Sequence, residues 1–422
     1  MSIPTDFSYA QQLDAQDPLA TYRSEFVEDP AGPIYMDGNS LGRLPHATAD
    51  HVRAIVEQQW GHDLIRGWNY GWYEAPQRIG DKIGMLVGAA PGQVLACDST
   101  SVNLYKLLMA ALQLRPDRRT IVSDTLNFPS DLYIAQGCIA QLGGRHELCL
   151  VESHDSLSIA EQSLAEHINE QTAVVMLSHV AFKSGALYDM AAITARAHAA
   201  GALVLWDLSH SAGALPVALD ACAADFAIGC CYKYLNGGPG APAFLYVRRE
   251  LQEAAISPIW GWFGQQQPFA FGLDYQPAAG LARFLAGTPP IISLLAIEPA
   301  LDMLLRAGMP AIRQKSEQLT EYAIALADAL LLGHGYSVGT PRDVAWRGSH
   351  VSVRHAEGYR INRALIEQLG VLPDFREPDN IRLGLSPLTT SFADVWQTVN
   401  RLRRVVAERV YEHYSDQRLA VT

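Results

Sequence analysis

Between Phe226 and Val247 the chain reads FAIGCCYKYLNGGPGAPAFLYV. An apolar run, Phe226–Cys231, delivers one lysine, Lys233, and a loop carrying Gly237, Gly238 and Gly240 leads into a second apolar run. Upstream, the run ALVLW closes on Asp207, and His210 follows in WDLSHSAG. A lysine on a turn after a buried strand loses solvation, which favours the neutral amine as nucleophile and base. A carboxylate at the end of an earlier strand could keep a pyridine nitrogen protonated, the state in which such a ring draws electrons from a bound substrate. Lys233 and Asp207 together point to an enzyme that holds pyridoxal phosphate (PLP) as a Schiff base on the lysine. Taken separately, Lys233 could be a surface lysine at a strand end and Asp207 a helix N-cap. His210 could be a direct ligand or a polar neighbour.

A phosphate needs backbone N–H groups at a helix start, helped by hydroxyls. Thr100 and Ser101, in DSTSVNLYKLLMAALQL, precede a helical pattern and could supply both, or could simply cap that helix. In FPSD, Phe128 could stack on a planar ring and Asp131 could join its hydrogen-bond network; the alternatives are a core aromatic and an N-cap. In GWFG, the indole N–H of Trp262 could donate to a phosphate oxygen, or the aromatics could pack at a contact. Arg382, in NIRLGLSPL, could hold a substrate carboxylate through a bidentate pair, or lie on a strand surface. No GxGxxG or Walker loop is present, so nucleotide binding is not favoured.

The elements that must position these groups are legible as alternating runs. Thr120–Ser123, His146–Val151, Ala173–Ser178, Ala202–Asp207, Phe226–Cys231 and Phe244–Val247 are short, rich in Val, Ile, Leu or aromatics, and too continuous for one-sided strands, as expected of a sheet covered on both faces. Helical patterns lie between them, among them SLSIAEQSLAEHI and a segment opening at Asp189 and stopping at Gly201. The alternation implies an α/β fold with a mostly parallel sheet and right-handed crossovers. Beyond Pro299, long helical periods at Ala311–Leu332 and Ser391–Tyr414 surround short strand candidates, His350–Val353 and Asn380–Leu385. The expected division is a large domain over residues 61–305. A smaller α+β domain is expected from residues 1–60, including the helix-like Thr48–Trp60, together with residues 306–422.

Composition excludes several classes. The chain has 422 residues, 49% of them hydrophobic, enough for a large core and against disorder. The formal charge is −12, with no Lys/Arg-rich run, so neither nucleic acid nor an anionic membrane is an expected partner. The six cysteines form no CxxC and no zinc-like spacing, and MSIPTDFSYA lacks an apolar signal region, so reduced thiols in a cytoplasmic protein are expected.

Across nearly the whole chain, the segments YMDGNSLGRLP, LIRGWN, STSVNLYKLL, NFPSDLY, WDLSHSAGALPV, CYKYLNGGPGAPAFLYV, GWFG, FLAGTPPIISL and IRLGLSPL stand in an order that resembles the kynureninases. These are PLP enzymes of the aspartate-aminotransferase-like fold type I, with a seven-stranded sheet in the large domain. The resemblance implies that Lys233 carries the cofactor, Asp207 holds its ring nitrogen with His210 beside it, Phe128 stacks on the ring, and Asp131 joins the network. It implies Thr100, Ser101, Tyr232 and Trp262 at the phosphate and Ser178 at the cofactor. Thr288 would reach the phosphate from the other subunit of a homodimer. Arg382 is implied at the substrate carboxylate, Trp68 near its aromatic amine, and Tyr232 as a proton donor or relay. The implied reaction is hydrolysis of L-kynurenine to anthranilate and L-alanine. Animal members of the family carry Asn at the place of Thr288 and prefer the 3-hydroxylated substrate, so the plain one is expected to be preferred here.

Two other readings compete. A desulfurase or class V aminotransferase would share the fold, but a desulfurase needs a catalytic cysteine in the C-terminal half, and no cysteine follows Cys231. A non-catalytic PLP-fold binding protein fused to a DNA-binding module would need a helix-turn-helix or a basic patch, and the sequence offers neither.

Overall fold

The computed structural model describes residues 3–29 and 31–418. Seven strands form the main sheet. Their lateral order is Val94–Ala96, Phe244–Val247, Phe226–Gly229, Leu203–Asp207, Thr172–Ser178, Thr120–Asp124 and Glu147–Val151. Phe244–Val247 pairs antiparallel with both neighbours, and the other pairings are parallel. Six of these strands are buried on both faces, which explains why they read as apolar runs, whereas the edge strand Glu147–Val151 is half-buried to exposed up to Val151. Alternate residues feed two different cores. Val175, Leu177, Val204, Trp206 and Ala227 join one apolar cluster, and Val174, Met176, Leu203, Leu205, Phe226 and Ile228 join the other. This is the period-2 alternation of a pleated strand, applied to a sheet covered twice.

A second sheet of four antiparallel strands has the order Asp374–Arg376, Asn380–Gly384, His350–Arg354 and Ser337–Val338. The helices Met309–Leu330 and Phe392–Ala407 pack with it in a third apolar cluster, which also takes in Ala10 and Met36. Ser391 and Asp394 form a reciprocal capping box at the start of the second helix. The Asp14 carboxylate accepts from the N–H groups of Phe392 (2.8 Å) and Ala393 (3.0 Å), so the helix Phe7–Ala15 is tied to that helix start. Leu19, Phe26 and Ile55 instead join the first cluster of the large sheet. No helix among the described residues is long and apolar enough to cross a membrane.

Some expected elements differ. Val94–Ala96 is a strand that three apolar residues could not announce. The helix expected in SLSIAEQSLAEHI is confined to Glu161–His167. The Thr48–Trp60 pattern is α-helical over His46–Ala54 and then widens into a π-helical segment, Ile55–Asp63, where Gly61 weakens the preference for regular helix.

Candidate active site

The parallel strands converge on one edge. In the pairing of Thr172–Ser178 with Leu203–Asp207, Ser178 stands beside Asp207, both at the carboxyl ends of their strands. Ligands in open α/β sheets bind at such ends. The next strand, Phe226–Gly229, runs out through Cys230 and Cys231 into the loop that carries Lys233. The loop is closed by backbone bonds from Asn236 N–H to the Lys233 carbonyl (2.9 Å) and from Gly237 N–H to the Cys231 carbonyl (2.8 Å).

Lys233 Nζ lies 3.1 Å from Nε2 of His210 and 6.0 Å from the ring centroids of both Phe128 and Tyr232. His210 Nε2 is also 3.2 Å from the carbonyl oxygen of Asn39. Burial first, and then the charge of Lys233, holds His210 well below the ordinary imidazole range, so its ring is neutral. Asp207 is buried, and its Oδ1 accepts from Ser209 N–H at 2.7 Å. Asp131 is buried against it. Burial first, and then the charge of Asp207, pushes the Asp131 carboxyl well above the usual carboxylate range, and the two are hydrogen-bonded.

Asn127, which the sequence reading did not single out, organises this side. Its Oδ1 accepts from Ser178 Oγ (2.7 Å) and Phe128 N–H (2.8 Å), and its Nδ2 donates to Ser123 Oγ (3.0 Å). Phe128 is 41% exposed, and its ring packs near-perpendicular to that of Phe182, with centroids 5.3 Å apart. Ser99 caps the helix Thr100–Gln113, which puts Thr100 and Ser101 in its first turn. Ser101 Oγ is 3.3 Å from Ser130 Oγ, at the start of the helix Pro129–Gln141, so two helix N-termini meet there. Tyr232 is half-buried, and burial, then Cys230, pushes its phenol above the ordinary range.

Arg382 is enclosed, 2% exposed. Its Nε donates to Asp374 Oδ1 (2.6 Å), Nη2 to Asp374 Oδ2 and to Ser40 Oγ (3.3 Å), and Nη1 to the Phe182 carbonyl (2.6 Å). Four of the five guanidinium N–H bonds are therefore committed, and one on Nη1 has no hydrogen bond among the described residues.

Three expected residues do not join the Lys233 cluster within this chain. The Trp262 indole donates to the Pro268 carbonyl at 2.6 Å and packs with Phe263, Phe269 and Phe271. Trp68 packs against Trp72 and Phe263. Thr288 is exposed.

The segment YMDGNSLGRLP lies over the lysine loop. Gly42 N–H donates to the Tyr232 carbonyl at 2.7 Å, and a Cβ on Gly42 would lie 2.4 Å from the Lys233 carbonyl. Only glycine permits that approach. The signal in the sequence was its two glycines around Asn39 and Ser40. A hydrogen-bonded acid pair, an amine, an open aromatic face and paired helix starts suit a phosphorylated aromatic aldehyde, so these residues fit PLP.

Comparison with known proteins follows the same lines. The family model of the kynureninase C-terminal domain matches residues 312–402, and that of the DegT/DnrJ/EryC1/StrS aminotransferase family matches residues 68–218. A curated kynureninase of Pseudomonas fluorescens is 46% identical over 404 residues, covering 94% of this chain and 95% of the relative. The chain belongs to the kynureninase family. A second kynureninase, from Burkholderia pseudomallei, is likewise 46% identical, over 94% of both chains. Among solved structures, the kynureninase-family chain matches the cystine C–S lyase C-DES with a TM-score of 0.78 at 20% identity, covering 90% of this chain and 98% of that one. It matches a cysteine desulfurase of Thermococcus onnurineus with a TM-score of 0.76 at 19% identity, covering 97% and 99%. These likenesses establish the shared fold, which is the expected fold type I architecture.

Proposed function

We propose that this chain hydrolyses L-kynurenine to anthranilate and L-alanine, with PLP on Lys233. The observation that carries the reading is the Lys233 amine, facing His210 and the open Phe128 ring beside the buried Asp131–Asp207 pair. The near full-length likeness to kynureninases supports the choice of substrate.

Asp207 would hold the ring nitrogen, Phe128 the ring face, Ser178 the ring edge, and Thr100 and Ser101 the phosphate. When bound, PLP supplies an electron-withdrawing ring that stabilises negative charge at the substrate carbon bearing the amino group. Lys233 moves the proton at that carbon. The free N–H of Arg382 orients the substrate carboxylate. Water adds to the side-chain ketone carbon and the Cβ–Cγ bond breaks. The aryl acid leaves, and Cβ takes a proton to become the methyl group of alanine. Tyr232, whose phenol keeps its proton, is the proposed donor or relay. Trp68 is proposed at the aromatic amine, and Thr288 as the residue that favours the substrate without a 3-hydroxyl.

The chain is proposed to act as a homodimer in which Trp262 and Thr288 reach the phosphate of the other subunit. The exposed side chains of Trp260, Trp262, Phe269, Phe271 and Leu273 form an apolar patch suited to such a contact. Residues 61–305 are taken as the cofactor-carrying domain and 1–60 with 306–422 as the smaller one, with Leu19, Phe26 and Ile55 packing across the division. A cytoplasmic placement is supported by six free cysteines.

The test mixes the PLP-loaded protein with L-kynurenine and follows anthranilate fluorescence. Equal amounts of anthranilate and alanine, lost in Lys233→Ala, are expected. A shift of the cofactor spectrum with no anthranilate would leave the site standing and remove the reaction.

A further inference from the structure

Two side chains behind the Lys233 cluster are wholly enclosed and keep unpaired polar atoms. Asn39 and His350 are each 0% exposed; Asn39 Oδ1 and Nδ2 have no hydrogen-bond partner among the described residues, and the His350 ring meets only the Lys183 backbone, which leaves at least one ring nitrogen unpaired. Buried polar atoms are nearly always paired, by protein or by ordered water.

The two are neighbours by register. His350 stands directly opposite Gly384 in the antiparallel pairing of their strands. A Cβ on Gly384 would lie 1.8 Å from Asn39 Oδ1, so the carboxamide occupies the space of that absent side chain. Directly opposed side chains in such a pair start about 5 Å apart. The Asn39 carboxamide is thereby set beside His350. Both also touch His210: the Asn39 carbonyl is 3.2 Å from its Nε2, and the His210 and His350 ring centroids are 5.5 Å apart.

The chemistry of the two is complementary. Burial first, and then the charge of Arg382, holds His350 down to about 3, so it is a neutral imidazole with one donor and one acceptor. The carboxamide offers two donors and one acceptor. A buried water is held by about 2–4 such partners. The His210 ring has one Nε2 placed between two groups, the Lys233 amine and the Asn39 carbonyl, so a small rotation decides which it serves.

We propose that Asn39 and His350 hold an ordered water against His210, and that this unit sets the direction in which His210 presents Nε2 to Lys233. Asn39 and His350 are positioning residues, acting through His210. The inference rests on Lys233 being the cofactor lysine and is independent of the substrate's identity.

The test has two parts. A crystal structure at a resolution that shows waters is expected to hold one bonded to Asn39 and His350. Apoprotein is then given PLP, and uptake is followed by cofactor absorbance in the parent chain, His350→Phe, His350→Gln and Asn39→Ala. The Phe variant, which keeps a ring without nitrogens, is expected to slow uptake about tenfold, the size of one well-placed hydrogen bond. The Gln variant, which keeps a donor and an acceptor, is expected to recover most of the rate. Asn39→Ala is expected to match the Phe variant, and combining the two to add little. No water at the site, or uptake by His350→Phe at the parent rate, would overturn the proposal. If His350→Phe does not fold, the Gln variant and the water density decide. Parent protein that takes up PLP normally but releases no anthranilate would instead remove the proposed reaction and leave this unit standing.

Discussion

Asp131 is hydrogen-bonded through its carboxyl to Asp207, and both are buried. Two carboxyls in such contact cannot both be ionised, so a proton sits between them. The rise of the Asp131 carboxyl, caused by burial and then by Asp207, puts that proton on Asp131. Asp131 is thus the donor of the pair and Asp207 its acceptor. Asp131→Asn retains a donor to Asp207 and is expected to change cofactor retention by less than about threefold. Asp131→Ala removes the donor and is expected to weaken retention about tenfold. Absorbance of the cofactor that survives gel filtration measures both.

Gly384 has no room for a side chain: a Cβ there would meet Asn39 Oδ1 at 1.8 Å. Gly384→Ala must push the GNS segment away from the strand, a strain of about 1–3 kcal/mol. Denaturant unfolding should register the loss. PLP uptake should slow as well, because the same segment carries the carbonyl that touches His210.

Arg382 and Asp374 form an enclosed pair with two parallel hydrogen bonds. Removing one partner leaves a buried charge, so Asp374→Ala is expected to cost about 3–5 kcal/mol in unfolding free energy. Asp374→Asn keeps the shape but loosens the guanidinium, and KM for L-kynurenine is expected to rise about tenfold with a smaller change in kcat. Equal loss in kcat and no change in KM would remove Arg382 from substrate binding.

Asp37 titrates beside the same pair. Burial first, and then the charge of Asp374, raises its carboxyl from the ordinary 3.8 to about 6. The folded chain therefore holds a proton there that the unfolded chain releases from about pH 4 upwards. This contribution to stability is present in full below pH 3.8 and is lost as pH rises to about 6, by at most ~3 kcal/mol, after which it is flat. Asp37→Asn, which does not titrate, is expected to remove that slope in urea unfolding measured at a series of pH values.

Subunit mixing tests the shared site. Lys233→Ala and Trp262→Ala chains are each expected to be weak or inactive alone. In a mixed dimer, one site would have an intact lysine and an intact opposing tryptophan. Mixing equal amounts is expected to restore roughly a quarter of the parent activity, since half of the dimers are mixed and each carries one complete site. No recovery would mean that Trp262 acts within its own subunit or not at all.

Much of the framework was legible in the chain. Continuous runs such as Ala202–Asp207 announced strands because burial on both faces removes the polar alternation, and Ser391 with Asp394 announced a helix start because its N–H groups need those acceptors. Lys233, Asp207 and Phe128 could be singled out because residue type and place at a strand end already imply chemistry. Asn127 and His350 could not. Asn127 is informative only for the four groups it joins, and His350 is one histidine among 13 until the Gly384 register sets it beside Asn39.

The sequence by itself determined the strand–helix alternation apart from short strands such as Val94–Ala96, the lysine and acid at two strand ends, and the family motifs, because these depend on local pattern and residue chemistry. Only the tertiary structure decided that Asp131 meets Asp207, that Gly42 packs against the lysine loop, and that Asp374 takes two of Arg382's four hydrogen bonds. Those contacts join residues far apart along the chain. Packing and strand register bring them together, and neither can be read from any single stretch of sequence.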